Sequence, residues 1–363
     1  MKKGIVLHDF FEIKGGGERL VLTLAKALDF DLCFGFWTKN SYDKKLSLKG
    51  IKHVYDLKAQ TSIIGWRTIK QMQAFAKKTA CFLPQYDVAI YSGVDAPLAV
   101  FNHLKGTNIF YCHTPPRFIY DKKEFYLSLY PSPLRWIMHL LIRYIQPRYE
   151  AAVKNMDLII ANSQNVKTRI KKYLGLDSTL IYPPCDTQKF KFLGQKNYYL
   201  STARVDPLKR VDIIVKSFLK MPDKNLIVIS GGSDLPKIKK IAQRAKNIKI
   251  LGWVTEEKLR ELMGNCIATI YIPRDEDFGI SPVESMAAGK PVIGVKEGGL
   301  METIVDGETG ILLPQNPDEQ DIIKGVHTLT PKLALLMRRA CEQRAELFDK
   351  KNFIEQMRRV VEL

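Results

Sequence analysis

An acidic segment that leads into a predicted helix carries the clearest chemical signal in this 363-residue chain, and it reads DEDFGISPVE over residues 275–284. Ser281 suits the N-cap position and Pro282 the first helical position, so we expect a helix to begin at Pro282. The N–H groups and positive dipole end of that helix would suit a diphosphate, and the Glu284 carboxylate matches two vicinal hydroxyls of a ribose. The alternative is a capping box, in which Glu284 bonds back to the Ser281 amide.

A second signal is the pair Arg204 and Lys209, in the segment STARVDPLKR before a predicted helix. Arginine holds phosphate oxygens with a planar fork and lysine adds a point charge, so the pair suits an anionic leaving group. The alternative is a solvated basic turn.

Glycines at 15–17 follow the first predicted strand, where they would let backbone N–H groups approach a phosphate closely. We take Gly16 and Gly17 as candidates. Leu20 stands where a dinucleotide fingerprint needs its last glycine, and no Gly-Lys-Ser/Thr follows for a P-loop. A simple tight turn explains these glycines equally well.

His113 lies just past the predicted strand NIFYC, in the run YCHTPPRF. A lone histidine near a strand end is often structural. His8 ends the first predicted strand and is the other histidine placed to face a ligand.

Short β-branched runs alternate with helical patterns along the whole chain, which is typical of an α/β fold with parallel sheets covered on both faces. Pro183 and Pro184 interrupt this rhythm. We therefore predict two doubly wound, Rossmann-like domains facing a cleft, at residues 1–183 and 184–345, with a helix at 346–363 returning towards the first. Ligands are expected at the carboxyl ends of the strands.

The composition is strongly basic, with 56 Lys and Arg against 38 Asp and Glu and a net charge of +18. This excess favours an anionic partner, whether phosphates, acidic lipid head groups or nucleic acid. The six cysteines form no Cys-x-x-Cys pair, and we expect buried thiols in a reducing cytoplasm. Because no apolar run reaches about 18 residues and the N-terminus lacks a signal-peptide core, we predict neither a membrane span nor export.

Taken together, these motifs resemble glycosyltransferase family 4, whose members have the GT-B fold. Glu276 and Glu284 have seven residues between them and resemble the family's E-x7-E signature. Arg204 and Lys209 match its donor-phosphate segment. The HTPPR run that begins at His113 is similar to one in bacterial members that transfer mannose. The resemblance spans nearly the whole chain.

The resemblance implies that the first domain binds the acceptor and that the second binds a nucleotide-sugar donor. His113 and Glu276 would contact the transferring sugar, Arg204 and Lys209 the diphosphate, and Glu284 the ribose. The donor-binding candidates are Gly16, Gly17, Gly232, Val254, Phe278, Gly279, Ile280 and Glu284. We expect no cofactor and no metal, because Arg204 and Lys209 would already supply the positive charge of a metal ion.

The reaction implied is retaining hexosyl transfer to a saccharide or lipid-linked acceptor in the synthesis of cell-surface polysaccharide or glycolipid. GDP-mannose is the first choice of donor because of the HTPPR run, and UDP-glucose or another UDP-sugar is the second. A sugar-nucleotide epimerase or hydrolase of the same fold is a rival. A basic nucleic-acid-binding protein is another, but no RNP pattern or zinc-ligand spacing is present, so we expect no nucleic acid as partner.

Residues 118–149 are unusually aromatic and basic. Leu134, Ile137 and Leu141 share one helical stripe, whereas Arg135 and Arg143 lie on another face. Such a helix suits peripheral contact with an anionic membrane at the inner face of the cell membrane. An amphipathic helix packed on its own domain would have the same pattern.

Overall fold

The computed structural model describes residues 2–61 and 66–362. The chain forms two compact units. Unit 1 comprises Met1–Tyr182 with Ile354–Leu363, and unit 2 comprises Pro183–Phe353.

Unit 1 is built on a seven-stranded parallel sheet in the order β3-β2-β1-β4-β5-β6-β7. Its strands are β1 Gly4–His8, β2 Asp31–Phe34, β3 Val54–Asp56, β4 Val88–Ser92, β5 Thr107–Cys112, β6 Leu158–Ala161 and β7 Thr179–Leu180. Its helices are α1 Gly16–Leu28, α2 Lys44–Leu48, α3 Trp66–Lys78, α4 Lys123–Ser128, α5 Ser132–Lys154 and α6 Gln164–Leu174. Three 3-10 helices cover Thr79–Cys81, Leu83–Gln85 and Ala96–Asn102.

The central strands of unit 1 are buried along their whole length because helices cover both faces of the sheet. Every residue of β1 and β4 is buried, and Ile5 lies between Asp31 of β2 and Ala89 of β4 in the parallel register. The carboxyl ends of β1, β4 and β5 therefore reach the same edge of the sheet, which places His8, Ser92 and His113 side by side.

Unit 2 repeats this architecture with a six-stranded parallel sheet in the order β10-β9-β8-β11-β12-β13. Its strands are β8 Tyr199–Ser201, β9 Leu226–Ile229, β10 Ile248–Gly252, β11 Thr269–Ile270, β12 Val292–Val295 and β13 Gly310–Leu313. The helices from α7 onwards are α7 Val211–Leu219, α8 Leu235–Ile241, α9 Glu256–Asn265, α10 Ile280–Ala287, α11 Leu300–Thr303, α12 Glu319–Thr328, α13 Pro331–Leu336, α14 Arg338–Glu346 and α15 Lys350–Glu362. Further 3-10 helices cover Thr187–Lys189 and Pro207–Lys209. The predicted pair of doubly wound α/β sheets is confirmed.

The second unit runs on to Phe353, whereas the sequence analysis ended its second domain at 345. Helix α14 packs on α10, and the ring of Phe348 lies edge-on to that of Phe278 at 5.4 Å. The last part of α15, from Ile354, is assigned to unit 1, where Arg358 donates to the carbonyl of Ala27 at 3.1 Å.

The cysteines are free thiols, and five of them are buried as expected. Cys81 is the exception, because it lies exposed in a 3-10 helix, where its thiol donates to the Lys78 carbonyl. Across residues 2–61 and 66–362, no helix is both long enough and apolar enough to cross a membrane.

Asp9, directly after β1, fixes the turn that follows β4. Its buried carboxylate accepts from the backbone N–H groups of Val94 at 2.6 Å, Asp95 at 2.9 Å and Ala96 at 2.7 Å. Three backbone donors, two of them buried, thus depend on one side chain.

We predict that Asp9→Ala lowers the free energy of unfolding by about 2–4 kcal/mol, because it leaves buried N–H groups without an acceptor. The matched control is Asp43→Ala, which removes an exposed cap that accepts from the Leu46 N–H and should cost about 1 kcal/mol. Urea unfolding of both variants checks this. Equal losses for both variants would contradict the role assigned to Asp9.

Candidate active site

Lys209, Tyr271 and Glu276 converge in unit 2. The Lys209 ammonium, in the 3-10 helix after β8, lies 2.5 Å from a Glu276 carboxylate oxygen and 3.2 Å from the Tyr271 hydroxyl. The Tyr271 hydroxyl lies 3.1 Å from the same carboxylate oxygen. The two site residues predicted from separate motifs therefore contact each other, and Tyr271, just past β11, joins them.

The charge states in this cluster follow from its burial. Burial lowers the pKa of Lys209, but the adjacent Tyr271 and Glu276 raise it more, so that it lies above its ordinary value. Burial, with the Glu276 charge, raises the pKa of Tyr271. At neutral pH Lys209 is therefore an ammonium, and Tyr271 is a neutral phenol that donates to a Glu276 side-chain oxygen.

Arg210 and Glu297 hold the loop that carries Glu276 through contacts to the residues just before it. The buried Arg210 guanidinium donates to the carbonyls of Ile272 at 2.6 Å and Pro273 at 2.7 Å. It also lies 3.7 Å from Glu297, whose carboxylate accepts from the Asp275 N–H. A buried ion pair thus fixes the backbone on the amino-terminal side of Glu276.

Gly298 and Gly299 fix the other side of the loop. A Cβ on Gly298 would lie 2.4 Å from the Glu276 carbonyl oxygen, and one on Gly299 would lie 2.4 Å from the Phe278 Cα. The Gly299 N–H donates to the Glu276 carbonyl at 2.8 Å. This close approach of two backbones explains why glycine is needed at both positions.

Helix α10 begins earlier than predicted. It runs from Ile280, with Gly279 as N-cap at a φ of 90° and no side-chain cap. Ser281 and Pro282 therefore lie inside the first turn, so the predicted start at Pro282 is wrong and the capping-box alternative does not hold. The Ser281 hydroxyl instead hydrogen-bonds that of Thr202. Gly279 supplies the left-handed conformation for the turn.

The other candidate residues between 276 and 284 differ in how far their side chains are exposed to solvent. Glu284 lies one turn into α10 and is 8% exposed. The Phe278 ring is buried against Phe348, so its side chain anchors the loop and only its backbone remains for a ligand. Ile280 is partly exposed.

Arg204 lies in the loop after β8, with its side chain 49% exposed and paired to Asp206. Asp206 also accepts from the Ser233 N–H at 3.2 Å. A Cβ on Gly232 would lie 2.3 Å from the Val205 carbonyl oxygen. The predicted phosphate segment and glycine-rich turn therefore pack directly on each other.

Val254 follows β10 and is partly buried against a hydrophobic cluster that includes Leu262. Its predicted role at the nucleotide base stays a prediction.

Unit 1 carries a second polar cluster, made by His8, Ser92 and His113. The Ser92 hydroxyl lies 3.0 Å from His8 Nδ1 and 2.8 Å from His113 Nε2. A Cβ on Gly17 would lie 3.5 Å from His113 Nε2. His113 and the glycine-rich segment, predicted separately, are therefore neighbours.

Gly16 and Gly17 are the first residues of α1, with Gly15 as N-cap. Gly15 takes the extended conformation of an N-cap, so the N–H groups of Gly16 and Gly17 belong to the first turn of the helix.

Both histidines of this cluster are neutral at pH 7. Burial lowers the pKa of His113 to about 4. Burial and the neighbouring His113 lower the pKa of His8 to about 3. The cluster can therefore both donate hydrogen bonds to sugar hydroxyls and accept them, without carrying a charge.

The structure adds residues that the sequence analysis missed, namely Tyr271, Arg210, Glu297, Ser92 and the Gly298-Gly299 pair. Tyr271 had the appearance of a core residue in an apolar strand. Among these residues, the Gly298-Gly299 pair is the one feature of the sequence that could have indicated a close approach of two backbone segments. In the described ranges, no three His, Cys, Asp or Glu residues form a group able to hold a metal ion.

Comparison with known proteins decides the family. Residues 14–189 match the model described as Glycosyltransferase Family 4, and residues 186–346 match the model described as Glycosyl transferases group 1. This chain belongs to glycosyltransferase family 4. The family, the GT-B fold and the hexosyltransferase class expected from the sequence are confirmed.

The curated relatives of this family 4 glycosyltransferase include two proteins named alpha-1,3/1,6-mannosyltransferase ALG2. That of Dictyostelium discoideum is 26% identical over 286 residues, which is 65% of each chain. The human protein is 24% identical over 315 residues, covering 76% of this chain and 73% of its own. An uncharacterized glycosyltransferase of Methanocaldococcus jannaschii is 30% identical over 181 residues, about half of each chain.

Solved structures with the same fold include sucrose-phosphate synthase from Thermosynechococcus elongatus, with a TM-score of 0.78 and 18% identity over 99% of this chain and 98% of its own. WaaG, a glycosyltransferase involved in lipopolysaccharide biosynthesis, has a TM-score of 0.73 and 12% identity over 99% of both chains. These likenesses support the fold.

We predict that, as the pH falls, the free energy of unfolding decreases less in His113→Gln than in the wild type. A histidine whose pKa is lowered in the folded state does not reduce the free energy of unfolding above its unfolded pKa of 6.5. It reduces that free energy as the pH falls from 6.5 towards the folded pKa of about 4. Between pH 6.5 and pH 4 the wild type should lose about 2–3 kcal/mol more than His113→Gln. Urea unfolding across this pH range measures the difference. Parallel curves for the two proteins would contradict a lowered pKa of His113 in the folded state.

Proposed function

We propose that this glycosyltransferase is a retaining mannosyltransferase that transfers mannose from GDP-mannose to a saccharide or lipid-linked saccharide. The observation that carries the proposal is the convergence of Lys209, Tyr271 and Glu276 close to the start of α10. The choice of mannose is supported by the HTPPR run at His113 and by relatives named as mannosyltransferases. In this proposal unit 2 binds the donor and unit 1 binds the acceptor.

Both cations proposed to bind the diphosphate are paired with carboxylates when no ligand is present, Lys209 with Glu276 and Arg204 with Asp206. Each pair keeps a positive charge in place without leaving it uncompensated. A bound diphosphate would share these cations and leave the Glu276 carboxylate oxygens to accept from hydroxyls of the sugar. The cluster thus suits a ligand with an anionic and a hydroxylated part.

For the chemical step, the leaving diphosphate would be stabilised by Arg204, Lys209 and the N-terminus of α10. The same diphosphate would help to deprotonate the acceptor hydroxyl on the face from which it leaves, which gives retention. His113 would contact the transferring sugar as a neutral hydrogen-bonding group. No metal ion is required in this proposal, because the two cations supply the charge.

A UDP-sugar such as UDP-glucose is the second choice of donor. An epimerase or hydrolase of the same fold would turn over the donor without an acceptor, so product analysis in the absence of acceptor separates it from a transferase. A nucleic-acid-binding role would show retention of DNA or RNA that weakens steeply with salt.

We also propose that the enzyme is cytoplasmic and bound peripherally to the inner face of the membrane through α4, α5 and the turn between them. One face of α5 packs on the core through Ile142, Ile145 and Tyr149. Leu129 is 61% exposed and Trp136 is 61% exposed. This segment therefore has a second apolar face beside its basic residues, as an interfacial element requires.

The donor proposal is tested by calorimetric titration of GDP-mannose, GDP, UDP-glucose and UDP into protein freed of metal by chelation. We expect GDP-mannose and GDP to bind, and Arg204→Ala and Glu284→Ala each to weaken binding at least tenfold, because each removes charge-assisted hydrogen bonds. Arg244→Ala and Glu261→Ala, exposed positions in the same unit, are the matched controls.

Tight binding of UDP and not GDP would overturn the choice of GDP-mannose and leave the fold of the site intact. No binding of any of the four ligands, or binding that only added metal restores, would contradict the proposed site.

The membrane proposal is tested by sedimentation with vesicles of phosphatidylcholine and phosphatidylglycerol. We expect the double variant Arg135→Glu/Arg143→Glu to reduce vesicle binding at least tenfold, since each basic residue near an anionic surface contributes about 1 kcal/mol. Lys239→Glu/Lys240→Glu on α8 changes the net charge equally and should bind more nearly as the wild type does. Equal loss in both double variants would show that only the net charge matters.

A further inference from the structure

An open groove of about 580 Å³ lies on the face of unit 1 formed by α3, α5 and the 3-10 helix Ala96–Asn102. Its lining residues are Met72, Gln73, Ala76, Lys77, Leu98, Phe101, Tyr144, Pro147, Arg148 and Ala151. The walls are thus mostly apolar, and Phe101 remains 48% exposed. The donor and acceptor assignments involve none of these residues.

The wall provided by α5 continues beyond the groove as a single apolar stripe. Leu140, Tyr144, Pro147 and Ala151 follow each other at three- and four-residue spacing, so they share one face of the helix. Leu140 is 53% exposed. The stripe therefore leads from the proposed membrane-contacting half of α5 directly into the groove.

The charged residues of the groove are Lys77 and Arg148. Lys77 is in the last turn of α3, and Arg148 is two turns beyond Leu140 on α5. The Arg148 guanidinium stacks on the Tyr144 ring at 3.7 Å. No Asp or Glu is among the ten lining residues, so the groove combines two cations with a mostly apolar wall.

We propose that this groove binds an anionic phospholipid of the membrane, with its phosphate at Lys77 and Arg148 and an acyl chain along the apolar wall towards Leu140. Two cations beside an apolar stripe that continues to the exposed Leu140 match a molecule with one anionic head and one hydrocarbon tail. A second copy of this chain is a poorer occupant, because two chains of net charge +18 repel each other. The proposal goes beyond peripheral attachment, since it assigns a discrete site to one lipid.

The probe is dioctanoylphosphatidylglycerol, titrated by calorimetry as a monomer below its critical micelle concentration into the full chain without donor. We expect saturable binding of one lipid per chain, at least tenfold tighter than that of dihexanoylphosphatidylglycerol. Dioctanoylphosphatidylcholine should bind at least tenfold more weakly than the phosphatidylglycerol of the same chain length.

Two variants place an indole in the groove. Ala151→Trp on α5 and Ala76→Trp on α3 change exposed alanines, so neither disturbs the core, and each should weaken binding of the dioctanoyl lipid at least tenfold. Thr168→Trp adds the same indole at an exposed position of α6 and should bind as the wild type does.

Failure of monomeric lipid to bind, or unchanged binding in both groove variants, would overturn the proposal. So would a wild-type dimer in sedimentation that either groove variant dissociates, because the occupant would then be a second copy. The nucleotide titration is independent of these results. Lipid binding without nucleotide binding would contradict the proposed function and leave the groove assignment standing.

Discussion

The partly buried charge of Lys209 is the constraint on which the candidate site of unit 2 depends. A lysine largely removed from water needs a compensating partner, and the structure provides one in Glu276, which also accepts from the Tyr271 hydroxyl. Glu276 stands on a loop without regular structure, so that loop must itself be held rigidly. Arg210 with Glu297 on one side, and the glycine pair on the other, supply the rigidity. The start of α10 and the position of Glu284 follow from this loop.

The polar cluster of unit 1 consists of neutral groups rather than charged ones. Its equivalent sheet edge carries His8, Ser92 and His113, and burial keeps both imidazoles uncharged. An uncharged edge makes both donors and acceptors available to hydroxyls, whereas the charged cluster of unit 2 suits an anion. The two sheets share a topology but present different chemistry, which is consistent with one unit for a sugar acceptor and the other for a nucleotide.

The sequence predicts the architecture well because the central strands are continuous apolar runs buried on both faces. A strand of two residues at the edge of the sheet, such as Thr179–Leu180, is too short for any pattern in the sequence to indicate it. The start of α10 was misplaced because local preference favours Ser281 as a cap, while the tertiary structure uses that hydroxyl for Thr202 and gives the cap to Gly279. Tyr271 could not be found from sequence, since its role depends on residues 62 positions before it and 5 after it.

Helix α5 shows how a structure separates two explanations that the sequence leaves open. An amphipathic helix packed on its own domain needs one apolar face, and α5 has that face in Ile142, Ile145 and Tyr149. It also keeps Trp136 and Leu140 more than half exposed to water, and folding of unit 1 gains nothing from that exposure. Packing on the core therefore accounts for only one side of the helix. The other side is explained if this face of the helix contacts hydrocarbon. The bilayer and the acyl chain of the lipid proposed to bind in the groove would both supply hydrocarbon along the same stripe.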